Sequence, residues 1–308
     1  MARRLALFLL CAFLQAGEAS KTAVEIRALI ASLASPDYAV RARAHGELLR
    51  REKEAAPFVR EALAHKDPEV RRRARRIWRV PSWAWPLPRT TYDRKTRMPR
   101  EVLDRVTCIR LVLVSPGDFY MGKRTPVRGE RPRQRVRISR PFYLGRCEIT
   151  HDEWNRIMNP KAPAKKNTQQ PKTEVSMVDI QRFCNITRFR LPTEAEWEHA
   201  CRAGTATPSY GKPDRIAWHF ENSLGYPHRV ALKLPNKLGL FDTLGNVKEV
   251  CAEVSVRRWG EHDIVVDPGR SGWYVARGGS CNARELDAAS SARAWRANDV
   301  GFRVARAP

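Results

Sequence analysis

Seven cysteines and seven histidines are the residues of this chain best able to attack, bind metal or move electrons. Their spacing decides which chemistry is open to them. No two cysteines form C-x-x-C, so neither a dithiol redox motif nor a zinc knuckle is signalled. His45, His65, His151, His199, His219, His228 and His262 contain no H-E-x-x-H and no H-x-H, so no histidine metal site is signalled. There is no G-x-S-x-G and no phosphate loop, and Gly278-Gly279 reads as a turn or a close-packing pair. Glu194, Glu196 and Glu198 crowd together, but a helix start explains them better than acid–base pairing does. Spacing alone therefore signals no nucleophile, metal site or phosphate site.

The elements that must position these residues are partly legible. Thr193 with Glu196 has capping-box spacing and follows Pro192, predicting a helix from Thr193 to Arg202. Thr150 with Glu153 predicts a second helix, from Thr150 to Met158. Strands and turns alternate around them, and the Lys-, Pro-, Gln- and Asn-rich stretch from Pro160 to Pro171 reads as a surface loop. Ahead of this region, Thr22 to Arg79 carries apolar residues at helical spacing. Asp37 to Ala44 recurs in modified form from Asp67 to Ala74, a period of about 30 residues that marks a helical repeat. The wording D-P-E-V-R-x-x-A resembles HEAT-type repeats. Such a short module either packs on the second domain or forms a cap-like pair of hairpins. Val80-Pro81-Ser82-Trp83-Ala84-Trp85-Pro86 breaks the helix and opens a Pro/Trp-rich linker. The expected organisation is residues 1–19 as a signal peptide, 22–79 as the helical module, 80–104 as the linker and 105–308 as a second domain.

The second domain resembles a known family. Arg190-Leu191-Pro192-Thr193-Glu194-Ala195-Glu196-Trp197-Glu198 is similar to the signature of the formylglycine-generating enzymes, or sulfatase-modifying factors. Cys108 to Val114 with Pro116-Gly117-Asp118-Phe119-Tyr120-Met121-Gly122 resembles the opening strand and turn. Phe142 to Thr150, Asn236 to Glu249, Arg277-Gly278-Gly279-Ser280 and Gly301-Phe302-Arg303 come next in the family's order. The resemblance implies an α+β, C-type-lectin-like fold with little regular secondary structure, beside a small all-α N-terminal module.

It also implies where chemistry should sit. The family's enzymes hold copper(I) on two cysteines between R-G-G-S and G-F-R. By the resemblance those positions are Ala283 and Ala288 here, so copper is not expected. By the same resemblance Ser280 is retained and Cys281 is displaced, so these two are the residual catalytic candidates, with Cys251 approaching Cys281 as a rearranged thiol site. The family's tryptophans are replaced by Met177, Lys248 and Val250. Cys184 and Cys201 match one half of the family's disulfide cysteines, while Ser290 and Val304 stand at the other. The six cysteines beyond Cys11 therefore read either as disulfide-bonded or as buried free thiols. The family's calcium loop matches Asn236 and Gly239, with Glu253 at an acidic position beyond; Asn236 as a plain turn residue is the alternative.

The formal net charge of +24 favours anionic partners. Met1 to Arg4 is basic, Leu5 to Gln15 is apolar, and Ala16, Gly17 and Ala19 are small, the pattern of a secretory signal. The expected product is exported, periplasmic or extracellular, and membrane-attached only if the signal stays uncleaved. Nucleic acid is then an unlikely partner, and Arg71 to Arg76 reads as a solvated helix end. The sequence leaves three functions open: a non-catalytic binding or scaffold protein, an oxidase with a rearranged thiol site, and a binder of anionic glycan or membrane surface. For the first, Arg284, Arg293, Trp295, Arg296 and Asn298 are the expected ligand contacts, because Trp and Arg dominate binding energy. The ligand would be a protein or an acidic glycan.

Overall fold

A computed structural model describes residues 21–122, 133–161, 169–207, 209–252, 275–284, 291–292 and 299–308. It divides into two compact units, one up to Pro86 with Thr91–Pro99, the other Leu87–Thr90 with Arg100–Pro308.

The first unit is helical: α1 (21–32), α2 (Tyr38–Arg50), α3 (Glu52–Ala62) and α4 (Pro68–Trp78), with a short strand β1 (Ala84–Pro86) after them. The repeated letters are repeated contacts. Asp37 caps α2 by accepting from Ala39 N, and Asp67 caps α4 by accepting from Glu69 N. Arg41 donates to the carbonyls of Ser35 and Pro36, and Arg71 donates to those of His65 and Lys66. The inward positions, Ile26, Leu33, Leu48, Val59, Val70 and Ile77 among them, form one core, against which Val80 and Trp85 pack. Trp85 thus belongs to the helical core, although its prolines break the helix.

The second unit has the mixed helix and strand content expected, in short elements. One sheet runs β2 (Glu101–Asp104), β3 (Arg110–Val114), β6 (Phe142–Gly145), β11 (Ala305–Arg306), all antiparallel, with Val102 opposite Leu111, Leu113 opposite Tyr143 and Arg306 opposite Tyr143. β4 (Gly117–Met121) and β5 (Gln134–Ile138) pair as antiparallel strands. A second sheet runs β10 (Val300–Gly301), β7 (Lys248–Cys251), β8 (Val275–Arg277), β9 (Ser291–Ala292), with β10 parallel to β7. The helices are α5 (His151–Met158), α6 (Met177–Thr187), α7 (Glu194–Arg202) and the short α8 (Pro213–Ile216).

Both expected helices carry complete capping boxes: Thr150 and Glu153 satisfy each other's backbone N–H at α5, and Thr193 and Glu196 do so at α7. α6 and α8 are additions to the sequence reading. Ser176 does cap α6, but the residue three on is Asp179, whose shorter side chain accepts from the Ser176 hydroxyl instead of the cap backbone. Among the described residues no helix is long and apolar enough to cross a membrane.

Candidate functional site

Two buried arginines hold the segments around Ser280. Arg277, the arginine of R-G-G-S, lies at the end of β8 and bonds Glu198 of α7, with Glu194 3.4 Å away. Glu198 also accepts from Arg202 and from the Gly122 backbone. Arg303, the arginine of G-F-R, pairs in two-pronged fashion with Glu249 of β7 and donates to the carbonyls of Gly145 and Phe241 at 3.0 and 2.9 Å. Trp197 Nε1 donates to the same Glu249 at 2.7 Å. All of these charges are buried. Such pairs add little net stability, but each leaves a buried charge stranded if its partner goes. Gly278 closes the arrangement at φ +95°, where a Cβ would meet the Thr243 carbonyl at 2.8 Å and press on Trp197.

Ser280 comes two residues later. Its hydroxyl donates to Asp299, and Lys248 Nζ donates to the same carboxylate oxygen at 3.0 Å. Burial alone would raise the Asp299 carboxyl, but the Ser280 and Lys248 donors hold it below its ordinary value. An ionised, doubly hydrogen-bonded carboxylate is a poor base, so Ser280 is a braced hydroxyl and not an activated one. Cys281 is fully buried, with its backbone N–H on Asn246 O at 2.8 Å. Burial, with help from Asp299, pushes its thiol up to about 11, so it stays protonated near neutral pH. Burial likewise pushes the Cys251 thiol far up and those of Cys184 and Cys201 to about 12. All six described cysteines are free thiols; Cys184, Cys201, Cys251 and Cys281 are buried as the second reading has it, whereas Cys147 is half-buried and Cys108 is exposed.

Of the expected ligand contacts, Arg284 is exposed, with its guanidinium 4.3 Å above the Phe220 ring. Arg293, Trp295, Arg296 and Asn298 lie outside the described residues, as do Ala288, Ser290 and Glu253. Ala283 is described: its N–H donates to Ser280 O at 2.9 Å and its carbonyl accepts from Phe220 N at 3.1 Å.

The calcium loop takes the alternative that the sequence held open. Asn236 Oδ1 accepts from Leu238 N at 3.0 Å and Leu240 N at 3.2 Å, while Nδ2 donates to the carbonyls of Ala200 and Cys201. Both lone pairs of the amide oxygen are committed to the loop's own backbone. Gly239 supplies the tight turn at φ +90°. Asn236 therefore braces the loop against α7 and does not fit a cation through its side chain. Among the described residues no group of three His, Cys, Asp or Glu is placed to hold a metal ion.

Two features were missed at the level of sequence. The first is a buried acidic pair. Glu148 Oε1 accepts from Asn246 Nδ2 at 3.1 Å, and Asp242 Oδ2 accepts from Ala231 N at 2.7 Å, while Glu148 Oε2 and Asp242 Oδ1 are buried without a partner among the described residues. Burial, then the mutual repulsion of the carboxylates, pushes Glu148 well up; burial pushes Asp242 to about 6 against the pull of Arg303. The second is a pile of rings: Tyr226 on His228 at 5.1 Å, His228 on Trp218 at 3.8 Å, and Lys233 Nζ 3.9 Å from the centre of the Trp218 ring. The aromatic density of Trp218-His219-Phe220 and Tyr226-Pro227-His228 was the available signal.

Comparison with known proteins places this geometry. Residues 99–308 match the model of the sulfatase-modifying factor enzyme 1-like domain. The chain is 24% identical to the chaperone protein LppX of Paenibacillus barcinonensis, covering 57% of this chain and 81% of that one. It is 30% identical to the formylglycine-generating enzyme of Streptomyces coelicolor over 49% of this chain and 57% of that one. It is also 30% identical to the inactive C-alpha-formylglycine-generating enzyme 2 of Bos taurus, over 49% and 55%. The chain thus spans a little over half the length of the last two. In fold it is similar to Treponema denticola variable protein 1 (TM-score 0.57, 23% identity, 65% of this chain and 95% of that one). A second fold neighbour is PvdO from Pseudomonas aeruginosa (TM-score 0.54, 22% identity, 66% and 96%).

Proposed function

This chain belongs to the sulfatase-modifying factor enzyme 1-like family, and we propose that it is an exported, non-catalytic binding or scaffold protein built on that fold. The observation that carries the reading is the state of the segment after R-G-G-S. By the family resemblance one copper-binding cysteine belongs at Ala283, which contributes only backbone hydrogen bonds. The nearest sulfur in sequence, Cys281, is buried and held as a neutral thiol. Copper(I) favours soft sulfur donors, and the methyl group of Ala283 supplies none. Ser280 is retained, but its hydroxyl is spent on Asp299. The scaffold residues around it, Arg277, Glu198, Arg303 and Glu249, are paired with one another in buried ion pairs. A relative that is named inactive, and another named a chaperone, lend support to a fold kept for binding rather than turnover. Export rests on the basic, apolar and small-residue order of the first 19 residues. The matched caps at Asp37 and Asp67, with Arg41 and Arg71 in matched roles, support a HEAT-like reading of the helical unit.

The test is direct. A C-x-P-x-R sulfatase peptide is incubated with the full chain, copper and oxygen, and its mass is tracked. The expected spectrum is that of the unmodified cysteine peptide. Aldehyde formation that disappears in Cys281→Ser would overturn the reading and establish an oxidase with a rearranged thiol site.

A further inference from the structure

We propose that the ring pile and the Phe220–Arg284 pair form a binding face for an acidic polysaccharide, one whose sugars carry carboxylate or sulfate groups. This deepens the proposed binding role and rests on it.

The face is built from two segments. The loop from Ala217 to His228 sits on residues 281–284, because Phe220 N donates to Ala283 O, Ser223 Oγ donates to Cys281 O at 2.7 Å, and Gly225 lies beside the Asn282 amide. The loop is internally fixed as well. His228 N donates to Asn246 Oδ1 at 2.9 Å, and its Nε2 is 2.9 Å from Ser223 O, so the imidazole cannot swing away from Trp218. Rings held in this way lose little freedom when a ligand arrives.

The exposed groups then define the ligand. The pile ends in Tyr226, with one face on His228 and about half of its surface open (49%); Phe220 is open to a similar degree (47%). An exposed aromatic face is negative at its centre and apolar. The C–H face of a pyranose ring is apolar and weakly positive, so the two match. Cations border both ring groups. Arg284 lies over Phe220 and Lys233 lies over Trp218, while Arg229 is exposed on the same loop. Two carboxylates lie on this stretch, Asp214, which is hydrogen-bonded to His219 at 2.9 Å, and Glu221. Among the described residues no carboxylate pairs with Arg284, whose planar fork suits a carboxylate or a sulfate. Trp218 Nε1 is a buried donor with no partner among the described residues, which is further polar capacity beside the pile. Half-open rings with cations stacked on or beside them suit a chain of charged sugars.

Affinity electrophoresis of the full chain tests this at about 0.15 M salt, where long-range charge effects are largely screened. The gels carry polygalacturonate, chondroitin sulfate or a neutral galactan. The expected result is retardation on one or both acidic gels and none on the neutral one; the two acidic arms separate carboxylate from sulfate recognition. Phe220→Ala, Tyr226→Ala and Arg284→Gln each weaken retardation about tenfold without moving the melting temperature, in keeping with loss of an exposed aromatic or guanidinium contact. Tyr226→Phe, which keeps the ring, binds as the wild type does. Arg72→Gln with Arg75→Gln, two charges removed from the helical unit, changes nothing. Equal loss from the helix pair would show diffuse charge attraction and overturn the proposal. So would unaltered binding by the ring variants, absence of retardation on every gel, or capture of an acidic peptide in place of the glycans. Conversion of a sulfatase peptide is read separately, so failure of the binding role and failure of the glycan assignment are distinguishable.

Discussion

Replacing Asp242 by Asn should make the protein more stable at pH 8 and leave it nearly unchanged at pH 4. Asp242 is buried at 1% exposure, with Oδ2 on Ala231 N and Oδ1 without a partner among the described residues. Burial raises its folded-state value from 3.8 to about 6, with Arg303 pulling down and Glu249 pushing up. In the unfolded chain the carboxyl releases its proton near its ordinary value, while the folded chain keeps it. Between about pH 4 and pH 6 the unfolded state therefore binds fewer protons, and stability falls as pH rises, by roughly 1.4 kcal/mol per unit. Over about two units the loss is on the order of 3 kcal/mol, complete above the folded-state value. Asn presents an acceptor to Ala231 N and an uncharged group in place of the protonated oxygen, so it keeps the fold's contacts and removes the slope. Glu148 titrates with Asp242 as a pair, so the measured steps belong to both. The assay is urea denaturation monitored by tryptophan fluorescence at half-unit steps from pH 4 to pH 8. The variant's advantage should grow from near zero to roughly 3 kcal/mol. A variant equally destabilised at both ends would refute the reasoning, because it would mean that the ionised carboxylate has a partner in the fold.

Two further outcomes concern the buried charges and the Asn236 loop. Glu249→Gln strands Arg303 and weakens the Trp197 contact, so it should cost about 3–5 kcal/mol in denaturant unfolding; a loss below about 1 kcal/mol would mean that Arg303 finds another anion. Calcium at millimolar levels and a chelator should give superimposable thermal melts, because Asn236 Oδ1 is committed to Leu238 N and Leu240 N; a calcium-dependent rise would place a cation where the loop's own N–H groups now bond.

What the sequence made legible were the local contacts. Thr150 with Glu153 and Thr193 with Glu196 are bonded across three residues, and spacing alone reveals them. The repeat at Asp37 and Asp67 was readable because each Asp caps the helix immediately after it. The family's motif arginines, Arg277 and Arg303, could be found by eye, but not what they do. Their partners Glu198 and Glu249 lie 79 and 54 residues away. Asn236 shows the limit within a single motif: N-x-x-G is equally a cation loop and a self-bonded turn, and only the direction of the amide separates them. The ring pile was invisible for a different reason. Trp218, Tyr226 and His228 are close in sequence, yet no helical or strand period relates them, since an irregular loop stacks them.

The contacts that hold the fold differ in kind from those of the segment where the family resemblance places chemistry. The residues that hold the chain together, Arg277–Glu198 and Arg303–Glu249, bind through side chains buried deep in the unit, and loss of Glu249 strands the Arg303 charge. The positions after R-G-G-S bind differently. Cys281 and Ala283 are held by main-chain hydrogen bonds to Asn246 O, Ser280 O and Phe220 N, which any side chain permits. Exchange at Ala283 therefore costs little stability, and a lost thiol there meets no structural resistance. Lys248, where the family resemblance expects a tryptophan, brings a charge that is answered across the parallel pair β7–β10 by Asp299, which in turn takes the Ser280 hydroxyl. The Ser280 hydroxyl is tied into that ion pair and the Cys281 sulfur is buried, and the proposed non-catalytic role rests on this. Beside that centre Phe220, Tyr226 and Arg284 face solvent, and on them the proposed glycan role rests.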